Sequence, residues 1–589
     1  IRFMNVRQKI LDFLVQKQKR KMEVVFKKGE QDELLWFDNL CRIARLFLIF
    51  VVCWLTVKVG LSTDYYVSIS GSNTNSGSLE APFRTIQYGV TKLQPGDMLY
   101  VRTGVYVETV FVGTSGTKEK PIKIMAYPGD SPIIDGMTQL PQDDYGNMVL
   151  LNGNYLYFSG FEVRNSNING THLGGTGVVL AGQHNEAHEL NVHHAWENGI
   201  LAMGDFSVVE NCEVWQCAYS NSANPGSPAS GYWSTGLSAA RSRTDGITTN
   251  AILRGNLVYN NWGEGLSSFE AEGTLIEDNI VFDNWSVNLY VSDTRDAVVQ
   301  RNIVYNTPNN LVGQRRPFTL GDELANKPRS ANTIVINNLI YNADLWAFWS
   351  TAVPGSGLDH VLIANNTLVN GQLEIGASVG DQAHNTSGAI LNNIFFHETE
   401  DPWEIKGSLE NLTFSNNLWS KTPPEDLRGQ GDVTGDPKLA RTGATGAGEL
   451  AADYFKLTKN SPAIDHGLPL ALVPTDFFQH SKGSQPDIGG HEYNPPTGLF
   501  EYSDSMTTPD VYVIISHSRL TIFQNEQHAY EKMALFNMLG VEVLVENVAN
   551  RIFSVDVSGL PAGTYIVLLS GKRGKKEIKV TIPTAGLGL

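Results

Sequence analysis

The chain has 589 residues, 42% of them hydrophobic, which is too long for one ordinary domain and too apolar for a disordered chain. A formal charge of −17 excludes a general nucleic-acid binder, because that function needs basic surface to displace counterions. The charge is uneven: residues 1–62 hold 12 Lys and Arg against 6 Asp and Glu, which leaves the rest strongly acidic.

In chain order, the first feature is the uncharged run 46–57 behind Arg42 and Arg45. A membrane span needs about 20 apolar residues, so this run fits the core of a secretory signal peptide better. Gly60-Leu61-Ser62 offers a small-residue cleavage site; an uncleaved anchor is the alternative. The expectation is a secreted or outer-surface protein with no membrane span after processing. No function is assigned to residues 1–40. Cys41 and Cys53 would leave with the signal peptide. Cys212 and Cys217 remain, either as a disulfide or as two buried thiols.

Residues 82–92 are the one good short helix, placed to cap the first of a series of repeated units. From there internal repetition dominates. Asn256-Leu-Val-Tyr-Asn260, Asn279-Ile-Val-Phe-Asp283 and Asn302-Ile-Val-Tyr-Asn306 are spaced by 23 residues. Related copies start at Asn338, Asn366, Asn393 and Asn417, and weaker ones lie upstream at Phe161, Leu190 and Asn211. Each unit holds short β-branched and aromatic runs broken by Asn, Gly and Asp, which read as strands. Asparagine fills 36 of the 270 positions from 151 to 420, and it suits both left-handed turns and stacked amide ladders. A strand-only unit of this length with Asn at a fixed corner reads as one coil of a parallel β-helix.

Asp64-Tyr-Tyr-Val-Ser-Ile-Ser-Gly71 through Gln87, and Leu93-Gln-Pro-Gly-Asp97 through Tyr106, resemble the opening of secreted right-handed parallel β-helix proteins of the pectin-lyase-like type from Bacteroidetes. Asn460-Ser-Pro-Ala-Ile-Asp-His-Gly467 and Asp487-Ile-Gly-Gly-His-Glu-Tyr493 resemble their closing segment. The resemblance covers roughly 64–493 and implies the fold, with a β-helix domain placed at 63–493. It does not imply one reaction, since that scaffold carries lyases, hydrolases, epimerases and adhesins. Residues 494–510 read as a linker. Seven alternating strands occupy 511–589. Their motifs Leu535-Phe-Asn-Met-Leu-Gly540 and Leu560-Pro-Ala-Gly-Thr-Tyr565 are similar to the small β-sandwich that sorts proteins through the type IX secretion machinery. The expected fold class is therefore all-β: a right-handed parallel β-helix followed by a sorting β-sandwich.

Chemistry is expected on an outer groove beside long insertions, because coil interiors are filled with apolar side chains. Two insertions stand out, 218–250 and 312–331. Aligning the coils between them on Leu266, Leu289 and Leu311 places Glu270, Asp293 and Arg315 four residues further on. These three are the candidate catalytic residues, as an outward ladder with a spacing of about 4.8 Å. Two carboxylates at that spacing can split their pKa values and act as acid and base. Glu272, Arg295, Arg241, Arg243 and Arg316 are candidate substrate-binding residues; the arginines among them, with Arg315, are able to meet a uronate carboxylate. Tyr232 and Trp233 are candidate stacking platforms for a sugar. An exposed ion-pair ladder without catalytic use explains the same charges.

His184-Asn-Glu-Ala-His188 has the letters of a metal motif, but no helix is expected there, so no metal site is assigned. His193 and His194, adjacent in a strand, are expected to face opposite ways. No cofactor is expected. Calcium stays open from the acidic residues, although no loop has EF-hand spacing. The expected partners are a polysaccharide and the export machinery. The leading reading is an enzyme on an extracellular polysaccharide, lyase or glycoside hydrolase; the alternative is a non-catalytic glycan-binding or structural surface protein.

Overall fold

The computed structural model describes residues 62–142, 146–167, 175–222, 234–240, 246–308, 316–323, 330–349, 356–376, 385–493 and, towards the C-terminus, 511–516, 519–524, 530–537, 541–548, 552–557, 559–561, 563–572 and 574–582. From Asp64 to Thr434 the chain winds as a right-handed parallel β-helix with three long sheets of 13, 13 and 12 strands. One coil shows the rule. Ile252–Arg254 lies in the first sheet, Leu257–Tyr259 in the second and Glu264–Glu272 in the third. The next coil repeats it with Leu275–Glu277, Ile280–Phe282 and Leu289–Arg295.

Parallel register stacks like on like. Leu253, Ile276, Val299 and Val335 form one fully buried inner column, and Leu237, Leu266, Leu289, Phe318 and Leu345 form another. Between the first and second sheets each coil from Gly160 onward turns on one left-handed residue, such as Asp278 at φ 58° or Asn337 at φ 54°. The asparagine that begins each repeat comes next in the chain and faces inward. Asn256 donates its amide to Asn279 (3.0 Å), Asn279 to Asn302 (2.9 Å), and the series runs on through Asn338, Asn366, Asn393 and Asn417. The ladder satisfies polar backbone that the sharp corner would otherwise orphan. Cys212 takes the ladder position upstream, where its backbone N–H donates to Asn256. Both remaining cysteines are free and buried, and burial pushes each thiol up to about 12, so they are packing groups and not a disulfide.

The helix is shorter than the sequence implies, Ile86–Val90. Thr85 caps it, and the Glu108 carboxylate accepts the N–H groups of Ile86 (2.9 Å) and Gln87 (2.8 Å). The closing segment does not sit at the end of the solenoid. It runs back along the outside: Gly448 N–H donates to the Tyr305 hydroxyl (2.7 Å), Asn337 donates to the Thr475 carbonyl, and Gly490 N–H donates to Thr367. Leu450, Phe455 and Ile488 thereby cover outer residues of the second sheet, among them Phe282, Leu339 and Ile394.

Residues 511–582 form two antiparallel sheets. Val511–Ser516, Arg519–Gln524 and Ile552–Asp556 make one; Lys532–Asn537, Glu542–Asn547, Gly563–Gly571 and Gly574–Ile582 make the other. Leu520, Met533, Leu535, Tyr565 and Leu569 fill the core of this small sandwich. Among the described residues no helix is long and apolar enough to cross a membrane.

Candidate functional site

The third sheet carries the candidate site on its outer face. Successive side chains alternate in and out along a strand, so the neighbours of the inward Leu266, Leu289 and Phe318 point out. Register stacks Ser238, Ser267, Tyr290, Thr319 and Trp346 into one outer column. Glu264 begins the strand that holds Ser267. It sits between Gly263 and Gly265, where neighbouring backbone leaves no room for a side chain: a Cβ would lie 1.8 Å from the Ser234 carbonyl and 2.4 Å from that of Asn288. The two glycines let the coils close around one carboxylate.

Glu264 is pushed up to about 8, first by burial and then by the negative charge of Glu323; a hydrogen bond from Ser267 offsets part of this. Tyr290 donates its hydroxyl to Glu323, and its own pKa is driven well above the ordinary phenol value by burial and by both carboxylates. A carboxyl with a raised pKa therefore lies beside a second carboxyl that accepts a phenol hydroxyl. A raised acid with a second carboxyl at hand is the usual equipment of acid–base chemistry.

Glu270 and Asp293 occupy equivalent positions in adjacent coils, as the 23-residue spacing requires. They are not an outward ladder: both are 0% exposed. Each stands in the left-handed region, at φ 52° and 48°, and this kink takes its side chain out of the strand's alternation. Asp293 nevertheless touches the site indirectly. Its Oδ2 accepts the backbone N–H of Glu323 (3.1 Å) and the Ser292 hydroxyl (2.7 Å), which anchors the chain that carries Glu323.

The third member of the ladder is corrected by the register. Leu289 pairs with Phe318, not with Leu311, so the position after Asp293 in the column belongs to Asp322, also fully buried, and not to Arg315. The insertions are not loop throughout, as their composition suggests, because they contain regular strands of the third sheet, Thr235–Ala240 and Phe318–Gly321. Arg315, Tyr232, Trp233, Arg241 and Arg243 lie outside the described residues. Glu272 and Arg295 are paired with each other at 2.6 Å on exposed surface, and such a pair contributes little. Arg316 is half-buried, which lowers its pKa, and its guanidinium lies 5.2 Å from the Trp285 ring centre.

The histidines do not make the expected picture in one respect. His193 ends its strand and His194 adopts φ 53°, so the two rings converge with their Nδ1 atoms 2.7 Å apart. His184 stacks between Tyr155 and Phe206, and His188 stacks on Tyr157. Among the described residues only Asp476, His480 and His491 bring three ligand atoms within 4.8 Å. That set is poorly suited to a metal: His491 Nδ1 accepts the Leu457 N–H (3.0 Å), so its proton sits on Nε2, whereas a metal-binding imidazole donates from its other nitrogen. The acidic column Glu270, Asp293 and Asp322 forms no such three-atom cluster among the described residues.

Residues 65–297 match the family described as Pel9A-like, right handed beta helix region. The chain is 29% identical over 226 residues to pectate lyase PEL9 of Emericella nidulans, covering 36% of this chain and 50% of that protein. It is 27% identical over 180 residues to pectate lyase L of Dickeya chrysanthemi, covering 28% of this chain and 40% of that protein. It thus spans half or less of the length of these curated relatives. Among solved structures, XylC in complex with xylose superposes with a TM-score of 0.50 at 12% identity, over 72% of this chain and 98% of that one, a likeness of fold.

Proposed function

We propose that this protein is a carbohydrate-active enzyme that cleaves glycosidic bonds in an extracellular polysaccharide, with Glu264, Tyr290 and Glu323 as its reacting groups. The observation that carries the reading is Glu264, a carboxyl held protonated near neutral pH beside Glu323. In hydrolysis the Glu264 carboxyl gives its proton to the glycosidic oxygen as the C–O bond breaks. Glu323, steadied by the Tyr290 hydroxyl, takes a proton from the attacking water as the new C–O bond forms. A second reading, β-elimination from a uronate polymer, is favoured by the relatives that carry the name pectate lyase. In that case Glu323 would take the ring proton and Glu264 would again protonate the leaving oxygen.

The sandwich at 511–582 supports a further part of the proposal: export by the type IX machinery to the outside of the cell. The motifs at Leu535–Gly540 and Leu560–Tyr565 are its basis.

The test incubates the purified full chain with a panel of neutral and acidic polysaccharides. Reducing ends are followed together with the ultraviolet absorbance of unsaturated products. Hydrolysis releases reducing ends without absorbance, and elimination releases both. A panel with neither signal would return the protein to the non-catalytic glycan-binding reading.

A further inference from the structure

We infer that a distal sugar-binding subsite lies on the same outer face as the reacting groups, two coils further along the solenoid, built from Trp346 with Glu374 and Lys406. The inference rests on the polysaccharide reading and adds to it the direction in which the glycan lies.

The placement comes from register. Tyr290 pairs with Thr319, Thr319 with Trp346, and Trp346 with Glu374. Each coil advances about 4.8 Å, so Trp346 stands about 10 Å from Tyr290 along the helix axis, the length of a disaccharide. Leu345 and Ala347, on either side of Trp346, are fully buried in the interior, and this sends the indole to the outside. There it is only partly covered. Among the described residues its Nε1–H finds no hydrogen-bond partner, and neither does the hydroxyl of the adjacent Thr319, itself 1% exposed. Buried polar atoms are normally paired, so two unpaired ones side by side on one face mark a place that protein contacts alone do not complete.

The next two coils supply the complementary chemistry, Glu374 from the first and Lys406 from the second. Lys406 Nζ reaches Glu374 at 3.0 Å and Glu404 at 3.1 Å. Glu374 is almost buried, whereas the Lys406 side chain is 41% exposed. An apolar ring face beside a fixed acceptor and an exposed donor suits one ligand class in particular. A pyranose offers an apolar C–H face to the indole and hydroxyls that both donate and accept at its rim. A simple anion would meet Glu374 and Glu404, and a simple cation would meet Lys406.

The experiment uses the full chain carrying Glu264→Gln, so that ligand is bound and not consumed. Two probe series are titrated calorimetrically: homogalacturonan oligosaccharides and xylo-oligosaccharides, each from two to six residues. The reference protein is expected to bind at least one series more tightly as the chain lengthens. Adding Trp346→Ala should cost about tenfold in affinity for the longer members and leave the disaccharide unchanged. Lys406→Ala, on an exposed side chain, should weaken the longer members about threefold without disturbing folding. Thermal unfolding of each variant separates loss of the subsite from loss of structure. Length dependence that survives both changes would overturn the subsite while leaving the catalytic reading intact. Failure of both series to bind the reference protein would also overturn it. Absence of any product from the wild-type chain on the polysaccharide panel would be the separate failure of the catalytic reading.

Discussion

At the residue scale the site turns on how a carboxylate is kept protonated. Burial and the facing Glu323 raise Glu264 to about 8, so it can donate a proton at neutral pH. Replacing it with Gln should lower turnover by about 100-fold or more, the usual range for such groups. The alkaline limb of the pH–rate profile, expected near pH 8 in the wild type, should go with it. The same shift has a stability consequence. Unfolded Glu ionises near pH 4.3, so between there and pH 8 the folded state holds a proton that the unfolded state has released. Stability therefore falls as pH rises through that window. Glu264→Gln should unfold at a higher temperature than wild type at pH 9 and at a similar temperature at pH 4. Asp293 makes a different kind of contribution, since it is fully buried and holds the Glu323 backbone. Asp293→Asn replaces one accepting carboxyl oxygen with an amide that must be oriented to accept the same N–H, and it is expected to lower kcat about fivefold with KM unchanged. The sequence makes Asp293 visible through its coil register. It hides Glu264, which precedes the aligned Leu266 and so falls outside a count taken forward from it. Only the flanking Gly263 and Gly265 mark the place where neighbouring coils close in. Left-handed backbone at Glu270 and Asp293 has no letter of its own in a strand, so their burial is not legible.

At the element scale the coil is legible because it repeats. The seven asparagines from Asn256 to Asn417 read as a ladder, and their amides do bond in series. Asn302 donates to the Ile276 carbonyl and to Asn338 and accepts from the Asn279 backbone and side chain. Asn302→Ala would orphan several buried groups at once, at about 1–3 kcal/mol each. A drop of roughly 3 kcal/mol or more is expected in chemical denaturation, with hydrogen exchange rising first in the coils around 279–302. Insertions are less legible, because a loop of unknown length resets the register. For that reason Leu311 aligns by letters where Phe318 stands in space. The closing segment is recognisable, but its course is not, since irregular chain carries no periodicity. Its weak point is His491. Burial, with Lys456, Lys482 and His480 around it, lowers that ring to about 4, and its neutral form accepts the Leu457 N–H. The unfolded ring titrates near 6.5. Its contribution is therefore whole above that pH and is lost as pH falls from 6.5 towards 4. Hydrogen exchange at pH 4.5 against pH 7 should show the segment 452–493 loosening before the coils it covers. The difference should shrink in His491→Gln.

At the scale of the whole molecule two different economies of folding share one chain. In the solenoid each coil pairs with its immediate neighbours, so stability accumulates along the axis and depends little on chain beyond the last coil. The sandwich closes seven strands on a single core. Among the described residues, every hydrophobic core draws on one of these parts alone: the coils and closing segment between Val67 and Tyr493, or the sandwich between Leu520 and Val580. A chain ended at residue 493 should therefore keep the thermal transition of the coils and the polysaccharide-cleaving activity proposed for them. Expressed in the native host, it should accumulate in the periplasm, because the proposed role of residues 511–589 is to be read by the export machinery and not to support catalysis. The two halves of the expectation can fail separately. Loss of the coil transition on truncation would show that the sandwich props up the solenoid. Normal arrival of the truncated chain at the cell surface would show that export is encoded elsewhere. Fusion of 511–589 to an unrelated periplasmic carrier completes the comparison, since a true sorting element should move that carrier to the surface.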